Sequence, residues 1–226
     1  MNKGRISFIS VILVIFLIVL VLACGSSESN SSEGVAKESE SQAENTSTIT
    51  QPTPEPTATI NPNIIKTGTY LVGSDIKPGL YRGIVGTDIL DSCYWARMKD
   101  LSGDLDSILA NDNAIGQFFV EVAESDYAFE IQCEVEYLET LPVPVDTFPT
   151  TLIPGEYLVG RDIQPGLYQG KAGEDVMESC YWARLKDFSG ELGAILANDN
   201  ATGQFYVEIQ ESDFGFRTGC NLEFKP

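Results

Sequence analysis

The chain has 226 residues, 33 of them acidic and 14 basic, with a formal net charge of −19. A surface of that sign repels phosphate backbones and anionic headgroups, which argues against nucleic acid and against direct binding to a charged membrane surface. The absence of histidine removes Ser–His–Asp and Cys–His catalysis and the commonest metal ligand.

Lys3 and Arg5 precede an almost wholly apolar stretch, 6–22, and Val21-Leu22-Ala23 leads into Cys24. A basic start, an apolar run and a small residue before the cut describe a secretory signal. An uncleaved transmembrane helix is the rival, but about 17 apolar residues is the short limit for spanning. A helix also gives no reason for Cys24 followed by Gly25-Ser26-Ser27. The arrangement resembles the lipobox of bacterial lipoproteins. That resemblance implies cleavage before Cys24 and acylation of its sulfur. The mature chain is then expected to be extracytoplasmic and lipid-anchored to the bacterial cell membrane, or to the outer membrane where one exists. Two acyl chains suffice for stable anchoring, at about 0.8 kcal/mol per buried CH2.

Residues 1–23 are therefore read as the signal and 24–66 as a tether. The tether is rich in Ser, Glu, Asn, Thr and Pro. Such a composition buries too little apolar surface to offset chain entropy.

Next comes a duplication without gaps. Gly68–Tyr137 recurs as Gly155–Phe224 at a constant offset, with 43 of 70 positions identical. The domains are placed at 67–137 and 155–226. Strands are expected near 69–72, 79–85, 93–99, 107–111, 117–123 and 128–137, and again at the equivalent positions, because short runs of Val, Ile, Tyr, Phe and Trp alternate with Gly, Pro, Asn and Asp. Phe118, Val120 and Val122 alternate with Phe119, Glu121 and Ala123, the pattern of a half-buried strand. Asn111-Asp112-Asn113 reads as a hairpin connection. The fold class is all-β: two tandem, small, disulfide-closed antiparallel sandwiches or partly closed barrels. Residues 138–154 carry four prolines, which deny them a sheet interior. They read as a stiff linker between two separate beads. The rival is one fused sandwich built from both halves.

Apart from Cys24 there are four cysteines: Cys93 and Cys133 in the first copy, Cys180 and Cys220 in the second. Four cysteines allow three pairings. Self-contained repeats favour Cys93–Cys133 and Cys180–Cys220, and an exported chain sits where disulfides persist. Zinc is the alternative, but two cysteines without histidine make a poor site.

Candidate ligand-binding residues are Trp95 and Arg97 with their equivalents Trp182 and Arg184. Neighbours on a strand point to opposite faces, so one aromatic of each Tyr-Trp pair faces something other than the core. An exposed indole beside a cation stacks well on a sugar ring or a peptide. The competing reading is a Trp packed on its neighbouring disulfide. No metal or cofactor is assigned. Calcium at Asp112 and Asp199 is the secondary candidate, since each lies in an Asn-Asp-Asn cluster of oxygens. It is weakened because Gly193 replaces Asp106 in the second copy. No catalytic residue is assigned and no enzyme is expected.

The run GxYxVGxDIxPGxYxG…CYWAR…AND…G…SDxxF…C resembles a repeat found in secreted proteins and lipoproteins of Gram-positive and related bacteria. It covers Gly68–Cys133 and Gly155–Cys220. Before the last Cys the pattern expects Gly; the second copy has Gly219, but the first has Gln132, which puts the turn there in question. The resemblance implies location and modularity, and no activity. The expected function is a lipid-anchored cell-envelope protein presenting two β domains as a non-enzymatic binding module. Its candidate partners are an envelope glycan or an envelope protein. The alternatives are a structural or stress-related surface protein without a specific ligand and, behind it, an envelope hydrolase.

Overall fold

A computed structural model describes residues 61–226. The signal, Cys24 and the tether as far as residue 60 lie outside the described residues. Repeat one forms strands β1 (Ile64–Ile65), β2 (Gly68–Leu71), β3 (Gly79–Ile84), β4 (Cys93–Met98), β5 (Ile108–Ala114), β6 (Gln117–Val122), β7 (Ala128–Ile131) and β8 (Val135–Leu138). Repeat two forms β9 (Thr151–Leu152), β10 (Gly155–Leu158), β11 (Gly166–Lys171), β12 (Cys180–Leu185), β13 (Ile195–Ala201), β14 (Gln204–Ile209), β15 (Gly215–Thr218) and β16 (Leu222–Lys225). All strand pairs are antiparallel. Each repeat is a sandwich of two four-stranded sheets, ordered β1-β8-β3-β6 over β2-β7-β4-β5 and β9-β16-β11-β14 over β10-β15-β12-β13. Neither closes into a barrel.

Alternation places the cores. In β6, Phe118, Val120 and Val122 point inward and meet Tyr81, Phe129 and Ile131. Repeat two repeats the arrangement with Tyr168, Val207 and Phe216. The hydroxyls of Tyr81 and Tyr168 are satisfied in the same way, each donating to a carbonyl four residues back, Lys77 O at 2.5 Å and Gln164 O at 2.8 Å. The disulfides are Cys93–Cys133 and Cys180–Cys220, the intra-repeat pairing. Each ties the start of a middle strand to the corner where the chain crosses from one sheet to the other.

Three details differ from expectation. Asn111-Asp112-Asn113 is not a turn: it lies inside β5, an edge strand paired with β4 from Tyr94↔Asn113 to Ala96↔Asn111. Ladder pairing overrides the weak strand preference of Asn and Asp, and polar side chains suit an edge. The expected strand 128–137 is two strands in different sheets, because the disulfide corner at Gln132–Glu134 breaks it. The turn there is the same in both copies despite the Gln132/Gly219 exchange, with the two amides donating to Tyr94 O at 2.9 Å and Tyr181 O at 2.8 Å. Both repeats also begin earlier than their self-similarity indicated. Ile64–Ile65, expected in the tether, pairs with β8, and Thr151–Leu152, expected in the linker, pairs with β16. The prolines confine these to two-residue edge strands.

The repeats are not separate beads. Both fall in one compact unit and share a third apolar cluster. Phe119, the outward residue of β6, packs with Leu158, Ala183, Leu185 and Phe188 of repeat two. The Phe119 and Phe188 rings lie 4.8 Å apart. Polar bonds cross the same junction. Glu121 N donates to Phe188 O at 2.9 Å, and Gln117 Nε2 donates to Glu156 O at 3.0 Å and Asp162 Oδ2 at 3.2 Å. Gly116, at φ +63°, passes so close to the Pro154 carbonyl that no side chain fits there. A sandwich of about 70 residues has a small core, and burying outward aromatics against its neighbour enlarges it.

Candidate functional site

On β4, Cys93, Trp95 and Arg97 share the inward face. Trp95 is 4% exposed and joins the core beside its disulfide. Gly190 of repeat two closes over its indole, so near that a Cβ at 190 would overlap the ring. Arg97 is 3% exposed. It makes a bidentate pair with Asp126 (2.7 and 2.9 Å) and donates to Ser189 O at 2.6 Å. Of the two readings of Trp95, packing on its own disulfide is the one found, and neither Trp95 nor Arg97 is a solvent-facing contact. Trp182 and Arg184 are half-buried. Arg184 makes the matching pair with Asp213.

The junction that covers Trp95 and Arg97 leaves a cleft of about 140 Å³. Repeat one contributes Trp95, Asn111, Asp112 and Phe119 to its walls. The β10-β15-β12-β13 sheet contributes Glu156, Tyr181 and Arg217, and the loop after β12 contributes Asp187, Phe188 and Glu191. The walls are thus apolar rings with polar groups set between them, the usual make-up of a small-molecule site.

Four carboxylates and the Arg217 guanidinium line the cleft, and two of the carboxylates lie against that guanidinium. Arg217 Nη1 lies 2.6 Å from Asp112 Oδ2 and 3.8 Å from Glu156 Oε1. Glu156 Oε2 accepts from Phe119 N at 2.8 Å. Glu191 Oε1 lies 3.4 Å from Arg97 Nη1, and Asp187 Oδ1 accepts from Ser189 N at 3.0 Å. Burial pushes the Glu156 carboxyl up to about 7, Asp112 adding in the same direction while Arg217 and the Phe119 amide oppose it. Glu156 therefore exchanges a proton near neutral pH, and a cation entering the cleft would release it.

Asp112 is held by Arg217 and Asp199 is exposed on β13. Among the described residues no group of three or more candidate ligands is arranged for a metal ion, so the calcium candidates do not converge. A larger groove, about 600 Å³, runs past Tyr70, Lys77, Tyr137 and Glu139 of repeat one. Its polar groups are engaged with one another: Lys77 lies 3.8 Å from Glu139 and 5.5 Å above the Tyr137 ring, and Tyr70 Oη donates to Lys66 O at 2.9 Å.

Two disulfide-closed sandwiches of one design make up the described chain, and the sequence profile of the Rv1352-like extracellular domain matches it twice, over 62–134 and 146–222. The chain belongs to the Rv1352-like extracellular domain family. No curated protein and no solved structure matches it. Membership places these domains outside the cytoplasm, as parts of a secreted or surface protein. Both matched stretches start ahead of the internal self-similarity and take in β1 and β9; they run through β7 and β15 and stop at the edge of the last strand of each sandwich.

Glu156, Arg217 and Phe188 were not singled out from sequence. Their Rv1352-like partners in repeat one are Thr69, Glu130 and Leu101. All three positions differ between the copies. The signal that would have found them is that difference. Where two copies fold alike, a charge or aromatic present in only one marks a place where their surroundings differ.

Proposed function

We propose that this is a lipid-anchored cell-envelope protein whose two β domains act together as a non-enzymatic binding module, with the cleft between them as the ligand site. The observation that carries the reading is the cleft itself, whose walls hold Asp112, Glu156, Asp187 and Glu191 with Arg217, Trp95 and Phe119, Asp112 lying against Arg217 and Glu191 against Arg97. That balance favours a ligand with a cationic group, and the rings favour one with an apolar or sugar-like body. An envelope polymer presenting primary amines fits both. The anchor reading is supported by the Ala23-Cys24-Gly25 sequence at the end of an apolar leader, and the missing histidine supports binding over turnover.

The test is calorimetric titration of the mature protein with an amine-bearing glycan polymer and with its N-acetylated form. Binding of the amine form, weakened by acetylation and by Asp187→Asn, supports the site. Equal binding of both forms, or none, sinks it. Mass measurement of the mature chain tests the anchor, and an unmodified Cys24 thiol or a retained Met1 would exclude it.

A further inference from the structure

The two repeats present different faces to each other. Repeat one offers the edge strand β6 with Arg97 behind it; repeat two offers the outer face of its β10-β15-β12-β13 sheet and the loop after β12. Such a contact is head-to-tail, and it leaves one copy of each half unused. The outer sheet face of repeat one and the edge strand β14 of repeat two are both open. Their state shows in matched residues. Phe119 is 2% exposed, whereas its equivalent Tyr206 is 53% exposed. Phe188 is 2% exposed, whereas its equivalent Leu101 is 55% exposed, and Tyr127, the equivalent of Phe214, is 51% exposed.

The open halves keep most of the chemistry of the filled junction. Gln117 bonds Asp162, and the open halves carry Gln204 and Asp75. Arg97 uses Nε and Nη2 for Asp126 and Nη1 for Ser189 O. Arg184 uses Nε and Nη2 for Asp213 in the same way, and its Nη1 has no partner among the described residues. The counterpart of the Ser189 carbonyl is that of Ser102, in a loop that keeps its glycine at φ +79° (Gly103) with open space around it. A single element inverts. Arg217 faces Asp112 across the filled junction, but the equivalents are Glu130 and Asp199.

We propose that the open sheet face of repeat one and the open β14 edge of repeat two form a second head-to-tail docking surface, whose occupant is another copy of this chain, and that the Glu130–Asp199 like-charge pair sets its strength. Docking by the operation that already relates the two repeats seats Tyr206 against Leu101, as Phe119 lies against Phe188, brings Arg184 Nη1 to the Ser102 carbonyl, and sets Glu130 against Asp199. A contact of this kind continues into an open array unless its rotation closes a ring. The like charges hold it weak in dilute solution. Confinement of copies to one surface raises their effective concentration and favours it; that step alone rests on the anchoring reading above.

The test uses the full chain in the membrane of expressing cells, with Leu101→Cys and Tyr206→Cys in the same molecule. Both sites are exposed, so the fold tolerates them. Mild oxidation is expected to give a ladder of intermolecular disulfides, with no comparable product from either cysteine alone. Glu130→Arg or Asp199→Arg, each turning repulsion into attraction, raises the ladder yield about tenfold. The two together return it to the low value, since two arginines then meet. Sedimentation velocity of the mature Glu130→Arg chain, without added cysteines, gives the same answer independently of the anchor: assembly beyond monomer supports the proposal. Equal dimer from a single cysteine, or charge variants that neither strengthen nor restore, overturns it. So does a Glu130→Arg chain that stays monomeric.

Discussion

Phe119→Ala and Tyr206→Ala form a matched pair. The two residues occupy equivalent positions in β6 and β14, and both point away from their own sandwich core. Phe119 is 2% exposed because repeat two covers it; Tyr206 is 53% exposed. Truncating a fully buried Phe costs about 3–5 kcal/mol, the transfer of the ring plus the cavity it leaves. Truncating an exposed aromatic stays within about 0.5 kcal/mol. With a urea slope of about 2 kcal/mol/M for a folded unit of this size, Phe119→Ala moves the unfolding midpoint down by about 2 M, and Tyr206→Ala barely moves it. The assay is urea denaturation of the mature chain under oxidising conditions, followed by tryptophan fluorescence. Trp95 and Trp182 are the only tryptophans, one in each repeat, so the signal carries both sandwiches, and Trp95→Phe and Trp182→Phe variants separate them. Equal midpoint shifts for the two variants would refute the coupling of the repeats. So would a wild-type curve with two resolved steps of which Phe119→Ala alters neither.

Three further outcomes are expected. Glu156 titrates near 7 in the folded chain against 4.5 for a free glutamate. The native state therefore holds its proton more tightly than the unfolded state. Its contribution is full below about 4.5 and is lost as pH rises to about 7, on the order of 2–3 kcal/mol between pH 5 and 8. Glu156→Gln should flatten that part of the stability–pH curve, which denaturation at a series of pH values measures. Arg97→Ala strands the buried Asp126 carboxylate and should lower stability by about 3–5 kcal/mol, read as a drop in urea midpoint. Cys93→Ser together with Cys133→Ser opens a closed loop of 40-residue separation and should cost about 4 kcal/mol; calorimetry of the oxidised chain reads the loss.

The sequence carried the sandwiches well because their determinants are local and repeated. Alternation in 117–123, the Pro-Gly turn before β3 and the intra-repeat cysteines each act within one copy. The junction between copies was less visible for the same reason. Phe119 was legible as an outward residue of β6, but nothing in its own repeat says what it meets. The sequence allows Trp95 as either core or contact, and it is core because its face carries the disulfide and because Gly190 arrives from 95 residues away. Asn111-Asp112-Asn113 reads as a turn because those residue types serve tight turns and sheet edges equally well; the reversal, at Ile115–Gly116, is shorter and less polar. Glu156 and Arg217 escaped because a carboxylate that titrates near neutrality is made by two elements distant in sequence, β10 and β15, closing against β5.

The disulfide at each sheet corner has a mechanical consequence. In a chain held by its N-terminal end, tension enters repeat one through β1, two residues on the edge of a sheet. Such a strand peels bond by bond, and the pull then reaches β2 and β3. At Cys93 it meets the covalent loop to Cys133 and bypasses everything between. At roughly 3.5 Å per extended residue, each loop withholds about 140 Å of chain from extension. Under load the protein lengthens in limited steps, and the strands that line the cleft from β4 and β12 stay looped to their own sheet corners while the outer ones give way.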